Sequence, residues 1–188
     1  KKIMLALTTT RKNALRVITI VLTVLIGAAM AIALIMSSMT ASAQSRKIPI
    51  YSVHRNDGKI ALTFDCAWGN SNTDELLAIL KTVGAKATFF VTGEFCDKYP
   101  EDVRKMYEAG HEIANHSDKH PHLSGMNIND VIADTKECGR KIEMITGKAP
   151  ELYRAPYGEY DDISVDTVEG MGYYFVQWSV DSIDWEEP

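Results

Sequence analysis

Residues 59–91 read KIALTFDCAWGNSNTDELLAILKTVGAKATFFV, and this stretch decides the fold class. KIALTF (59–64) is an apolar run of strand length that ends at the acid Asp65. Asn70–Asn72 form a polar loop, after which Asn72 or Thr73 can cap a helix over 74–83. Leu76, Leu77, Ile79, Leu80 and Val83 share one face of that helix, and Gly84 stops it. ATFFV (87–91) is then a second strand. Two strands joined through a helix form the unit of a parallel sheet, because parallel neighbours need a crossover.

Downstream the alternation continues. Pro100 opens a helix (PEDVRKMYEA) with acids in its first turn, and Gly110 ends it. Residues 112–114 are a short strand leading into a histidine-rich loop. The longest amphipathic helix spans 127–145, with Val131, Ile132, Thr135, Cys138, Ile142 and Ile145 at helical spacing. Further strands are expected at 152–153 and 173–180, with a helix at 163–171 between them. No internal repeat or low-complexity tract interrupts this order. The pattern predicts an α/β fold with a parallel sheet or barrel, and such folds gather their chemistry at the carboxyl ends of strands.

Upstream, residues 17–36 (VITIVLTVLIGAAMAIALIM) carry no charge. As a helix they would extend roughly 30 Å, enough to cross a bilayer core. Residues 1–47 hold seven basic residues and no acid, which leaves 13 basic against 25 acidic residues in 48–188, a formal −12. Arg11, Lys12 and Arg16 flank the apolar run, so residues 1–16 are expected in the cytoplasm and the body outside it. Ala41-Ser42-Ala43 is an A-x-A cleavage signal, yet the run is longer than a usual signal core. A membrane anchor with an extracytoplasmic body and a secreted protein cleaved after Ala43 both stay open. Residues 37–51 are a linker. So acidic a body would repel phosphates, which excludes nucleic acid as a partner class.

Four polar motifs follow the apolar runs. His116 and His120 in HSDKH are four apart, a spacing that one helical turn converts into a chelating pair, although Pro121 limits any helix there to a single turn. Coincidental surface histidines are the plain alternative. Asp65 is either a loop-capping acid or a catalytic carboxylate. Arg154, in YRAPYG, could hold a carboxylate in bidentate fashion or form a surface ion pair. Asp181, Asp184 and Trp185 lie in VDSIDW, either as chemistry or as a loop with a packed tryptophan. Together they place an acid, two histidines, an arginine and a second acid after successive strands, the layout of a metal-assisted hydrolase.

TFD (63–65), HSDKH (116–120), RAPYG (154–158) and DSIDW (181–185), in this order, resemble the polysaccharide deacetylases, the NodB-homology domain of carbohydrate esterase family 4. The resemblance covers residues 52–188. TFD-x-x-W-G and the preceding SVHR are most similar to the branch associated with sporulation in Gram-positive bacteria. The resemblance implies a distorted (β/α) barrel that removes acetyl groups from peptidoglycan, chitin-like or xylan chains. His116 and His120 would bind a divalent metal, zinc being expected and cobalt or manganese the alternatives. Asp65 would be the general base towards water, and Arg154 would orient it and favour its charged form. The backbone N–H of Tyr157 would stabilise the oxyanion. Asp184 would tune the general acid, and Trp185 would line the acetyl pocket.

Two departures qualify that transfer. The family's second motif-one aspartate, a metal ligand, is replaced by Cys66, which leaves a Cys-His-His site, a two-histidine site completed by water, or weakened binding; weakened binding is the expectation. The late Leu-x-His motif that carries the general acid is absent. Since the chain begins at Lys1 and stops at Pro188, it is read as a fragment truncated at the C-terminus, with its barrel incomplete. The expected function is removal of N-acetyl groups from cell-wall polysaccharide. The competing reading is a non-catalytic glycan-binding or scaffold protein with a degenerate metal site.

Overall fold

The computed structural model describes residues 2–41, 46–183 and 186. It divides into two compact units, Lys1–Arg46 and Lys47–Pro188. The expected cleavage site at Ala43, and both Asp184 and Trp185, lie outside the described residues.

The first unit is one helix, α1 (Lys2–Ala41). Within it Asn13–Leu34 form a span of 22 residues with mean hydropathy 2.7. Its apolar side chains are exposed all round, Leu15, Val24 and Leu34 among them. The two threonines in the run satisfy themselves: the Thr19 hydroxyl donates to the Leu15 carbonyl at 2.9 Å and that of Thr23 to Thr19 at 2.8 Å. Hydroxyls satisfied in this way by the helix's own carbonyls are suited to a medium that offers no hydrogen bonds.

The second unit carries a five-stranded parallel sheet in the order β1 (Leu62–Cys66), β2 (Ala87–Val91), β3 (Glu112–Asn115), β4 (Leu152–Tyr153) and β5 (Tyr174–Phe175). Each strand lies beside its successor, as in singly wound barrel-type sheets; in a doubly wound sheet the order would reverse. The crossovers are α2 (Thr73–Thr82), then α3 (Gly93–Lys98) with α4 (Pro100–Glu108), then α5 (Ile128–Thr146), and finally α6 (Asp162–Gly170).

Register assigns the side chains. Phe64 is opposite Phe89, Asp65 opposite Phe90 and Cys66 opposite Val91. Because strand side chains alternate between faces, Phe64, Cys66, Phe89 and Val91 share one face and Asp65 and Phe90 the other. The first face packs on the helices: Phe89, Val91, Leu80, Phe95, Val103, Met106, Cys138 and Ile142 form the larger core, with Phe64 and Cys66 against it. A second core joins Leu123, Val131, Tyr153, Val165, Val168 and Phe175.

Several expected boundaries move. The first strand occupies 62–66 instead of 59–64, because pairing with β2 begins at Leu62. The short α3 lacks a full apolar period, so it was invisible to periodicity; the Thr92 hydroxyl caps it by accepting from the Phe95 N–H at 3.0 Å. The long strand expected at 173–180 contracts to 174–175. Val176 instead pairs with Ile50 of the presumed linker, whose N–H donates to Phe175 O at 2.8 Å. The sheet thus takes in chain that looked like a connector.

Candidate active site

Three strand ends place the chemistry. Val91 is opposite Asn115, and Asn115 is opposite Tyr153, so these residues occupy the helix-facing side with Cys66. One residue further along each chain, His116 and Arg154 fall on the opposite face with Asp65. The contacts follow. The Arg154 guanidinium donates to Asp65 Oδ1 at 2.6 Å and to the Gln177 carbonyl at 3.3 Å. It also lies 3.9 Å above the Phe90 ring centroid. Arg154 is 3% exposed, whereas the Asp65 side chain is about a third exposed at 35%. The carboxylate therefore has one oxygen fixed by arginine and another available to a ligand.

His116 Nε2 stands 3.7 Å from Asp65 Oδ2. Its Nδ1 is 2.8 Å from the Arg154 carbonyl. A carbonyl only accepts, so Nδ1 carries the proton and Nε2 presents its lone pair beside Asp65. Burial pushes the His116 pKa down, as it does for His120, which falls to about 4 through burial and the neighbouring His116. Both rings are neutral nitrogen donors at pH 7, with centroids 5.0 Å apart.

The two histidines do not share a helical turn. Residues 116–121 form a bent loop, in which Ser117 and His120 adopt left-handed φ values of 68° and 55°. The Ser117 hydroxyl accepts from the His120 N–H at 2.8 Å and closes the loop. Asp134 accepts from the N–H groups of Asp118 and Lys119 at 2.9 and 3.0 Å. Left-handed conformations cost non-glycine residues about 1–3 kcal/mol and persist where surroundings enforce them. Tyr157, at φ 57°, is a third such residue beside the same rings.

The fit to a divalent cation rests on this donor set. His120 Nδ1 is buried and has no hydrogen-bond partner, and His116 Nε2 carries a free lone pair. Both features fit imidazole ligation. Among the described residues no cluster of three or more His, Cys, Asp or Glu is placed to hold a metal ion. Cys66 packs against the larger core, and burial together with the adjacent Asp65 charge pushes its thiol up to about 12. It is a protonated core residue on the wrong face of β1.

Sequence reasoning missed two groups. His122 Nδ1 lies 2.9 Å from Glu159 Oε2, and its ring lies flat on Tyr157 at 4.2 Å. Trp68 stands edge-on to His120 at 4.9 Å. Their only signal was proximity to the motifs.

The sequence model of the polysaccharide deacetylase family matches residues 52–176. A peptidoglycan-N-acetylglucosamine deacetylase of Bacillus cereus is 34% identical over 131 residues, which are 70% of this chain and 48% of the relative. A chitooligosaccharide deacetylase of Sinorhizobium fredii is 38% identical over 130 residues, covering 69% of this chain and 60% of the relative. Among solved structures, a pseudoenzyme of carbohydrate esterase family 4 from Bacillus anthracis superposes with a TM-score of 0.72 at 30% identity, over 75% of this chain and 50% of that one. A mutant of it described as having restored enzymatic activity has the same TM-score, 0.72. The chain thus spans about half the length of the Bacillus cereus relative. With its parallel α/β fold and four ordered motifs, the chain belongs to the polysaccharide deacetylase family, carbohydrate esterase family 4.

Proposed function

We propose that this chain is a membrane-held or exported hydrolase that removes N-acetyl groups from a cell-wall glycan, peptidoglycan or a chitin-like chain, in a sporulating Gram-positive bacterium. One observation carries the reading: Asp65, Arg154 and His116 meet on one face of the sheet, with Asp65 held at 2.6 Å and His116 at 3.7 Å. Asp65 accepts a proton from the attacking water. Arg154 fixes the carboxylate so that its free oxygen faces that water. His116 and His120 hold a divalent cation, zinc first and cobalt or manganese as alternatives. Such a cation, when bound, polarises the acetyl carbonyl and acidifies water. The strained turn at Tyr157 directs its N–H towards the developing oxyanion. Asp184 tunes the general acid and Trp185 lines the acetyl pocket; both roles come from the family motif alone. Residues 17–36 anchor the body outside the membrane, or serve as a signal removed after Ala43.

Acetate release from N-acetylglucosamine oligomers and from peptidoglycan, with zinc, cobalt or manganese added to the full chain, tests this. Asp65→Asn should lower the rate at least about a hundredfold. No release with any metal overturns the proposal. A second reading, a non-catalytic glycan-binding protein, is favoured by one observation: Cys66 lies in the core and not beside the histidines. Glycan binding without bound metal or acetate release would establish it.

A further inference from the structure

His111 takes no part in the chemistry proposed above. It precedes β3 and His116 follows it, so the strand separates the two by roughly 16 Å, at the amino and carboxyl ends of the sheet. The His111 ring is buried, 6% exposed, and Phe89 packs against it with centroids 5.3 Å apart. Its Nδ1 accepts from the Ala87 N–H at 3.2 Å. A neutral imidazole carries one proton, so Nε2 holds it and is a donor. Among the described residues no acceptor meets that Nε2. A buried donor left so costs about 1–3 kcal/mol, which an acceptor in an adjoining cavity would relieve.

Two cavities reach the ring, one of about 250 Å³ and one of about 440 Å³. The larger lies between α2, the turn that follows it and the end of α4. Leu77, Leu80 and Ala85 give it apolar walls, and Lys81 and Lys86 line it with His111. Among the described residues no Asp or Glu lines it, whereas Glu112 and Glu151 line the smaller one. The Lys86 ammonium donates to the Ala109 carbonyl, which holds it at this cavity and leaves it further N–H groups. The C-terminal ends of α2 and α4 bring about half a negative charge each, less than two ammonium groups supply. The lining therefore favours an anion, and its apolar walls favour an anion with an apolar part. We propose that this cavity binds a small organic carboxylate with an aliphatic tail. The carboxylate accepts from His111 Nε2–H and from Lys86, and the tail lies against Leu77, Leu80 and Ala85. Small-molecule sites are of this kind, mostly apolar with a few placed polar groups. The site stands apart from the deacetylase reading and does not rest on it.

Hexanoate, hexanamide and acetate added to the full chain in detergent micelles at neutral pH test this. Calorimetry gives the affinities, and nitrogen NMR of the His111 ring locates the ligand. Hexanoate should bind at least about tenfold more tightly than either of the others, because acetate lacks the tail and hexanamide the charge. Lys86→Gln should weaken hexanoate about tenfold, and His111→Phe should weaken it at least as much. His111→Gln, whose amide can accept from Ala87 and still donate to the ligand, should recover most of that loss. Thermal unfolding of Lys86→Gln should match the parent, since Lys86 is exposed, so this variant decides even where His111→Phe fails to fold. No hexanoate binding to the parent, a His111 resonance unmoved by saturating hexanoate, or equal affinity for hexanoate and hexanamide overturns the proposal. Unchanged hexanoate affinity in Lys86→Gln overturns it as well.

Discussion

Cys66 and Asp65 are neighbours in sequence and opposites in structure. The strand alternation that turns Asp65 towards Arg154 turns Cys66 into the core beside Phe64 and the helices. Burial keeps its sulfur a thiol, and thiols are poor ligands beside two imidazoles. Cys66→Ala should accordingly leave zinc affinity unchanged within about twofold while costing about 1 kcal/mol in urea unfolding. A tenfold drop in calorimetric zinc affinity would instead identify Cys66 as a ligand. Cys66→Asp should raise zinc affinity at least about tenfold, since a carboxylate is costly in the core and gains by turning out towards the cation. At this scale the sequence told which residues could react. The alternation of faces, which pairs Asp65 with His116 and Arg154, needed the register.

At the scale of elements, the loop carrying both histidines is braced from behind. Lys141 of α5 donates to Asp97, at the end of α3, and to Asp118 in the loop, both at 2.6 Å. Burial alone would lower the lysine pKa, but its hydrogen bonds to Asp118 and Asp97 raise it. Asp118 is 4% exposed and sits so close to α3 that a Cβ on Gly93 would fall 1.8 Å from its Oδ1. Lys141→Met leaves the buried Asp118 carboxylate only the exposed Lys119 amine, 3.4 Å away, and should cost about 3 kcal/mol in urea unfolding, with zinc affinity falling as the loop loosens. Asp118→Asn added to it should recover much of the loss; equal stability of the single variant and the parent would show that the brace does nothing. His111 couples β2 and β3 in another way. Its Nδ1 accepts from the Ala87 N–H at 3.2 Å, so the ring must be neutral, and burial followed by nearby Lys86 depresses its pKa below 6.5. The stability it contributes is fully present above pH 6.5 and is lost as pH falls towards its lower folded value, because the unfolded chain takes up the proton first. Urea unfolding at pH 7.5 and 5.5 should therefore show a smaller pH loss in His111→Gln than in the parent. Equal losses would contradict the assignment. Neither brace was legible in advance, since Lys141 with Asp118 and His111 with Ala87 are joined only by the crossovers.

For the whole molecule, charge and hydropathy divide the chain as the structure does. The acid-free basic leader with its apolar helix lies, but for Lys47, in one unit, and the body of formal charge −12 lies in the other. Asn13–Leu34 expose apolar side chains on every face, which water would penalise and lipid would not. After an alkaline wash the full chain should stay with the membrane pellet. A soluble product that begins at Gln44 would assign the helix to a cleaved signal.

The sequence by itself determined the α/β class, the family and the apolar leader, because hydrophobic period and ordered motifs are local properties of the chain. It also singled out Asp65, His116, His120 and Arg154 as candidate groups, because they lie in those same local motifs. Only the tertiary structure decided that Ile50 pairs with Val176, and that the HSDKH loop is bent through left-handed residues instead of helical. It also decided that Cys66 faces the core. Each of these depends on which strand lies opposite which, and that is set by burying two cores at once. No single segment records it.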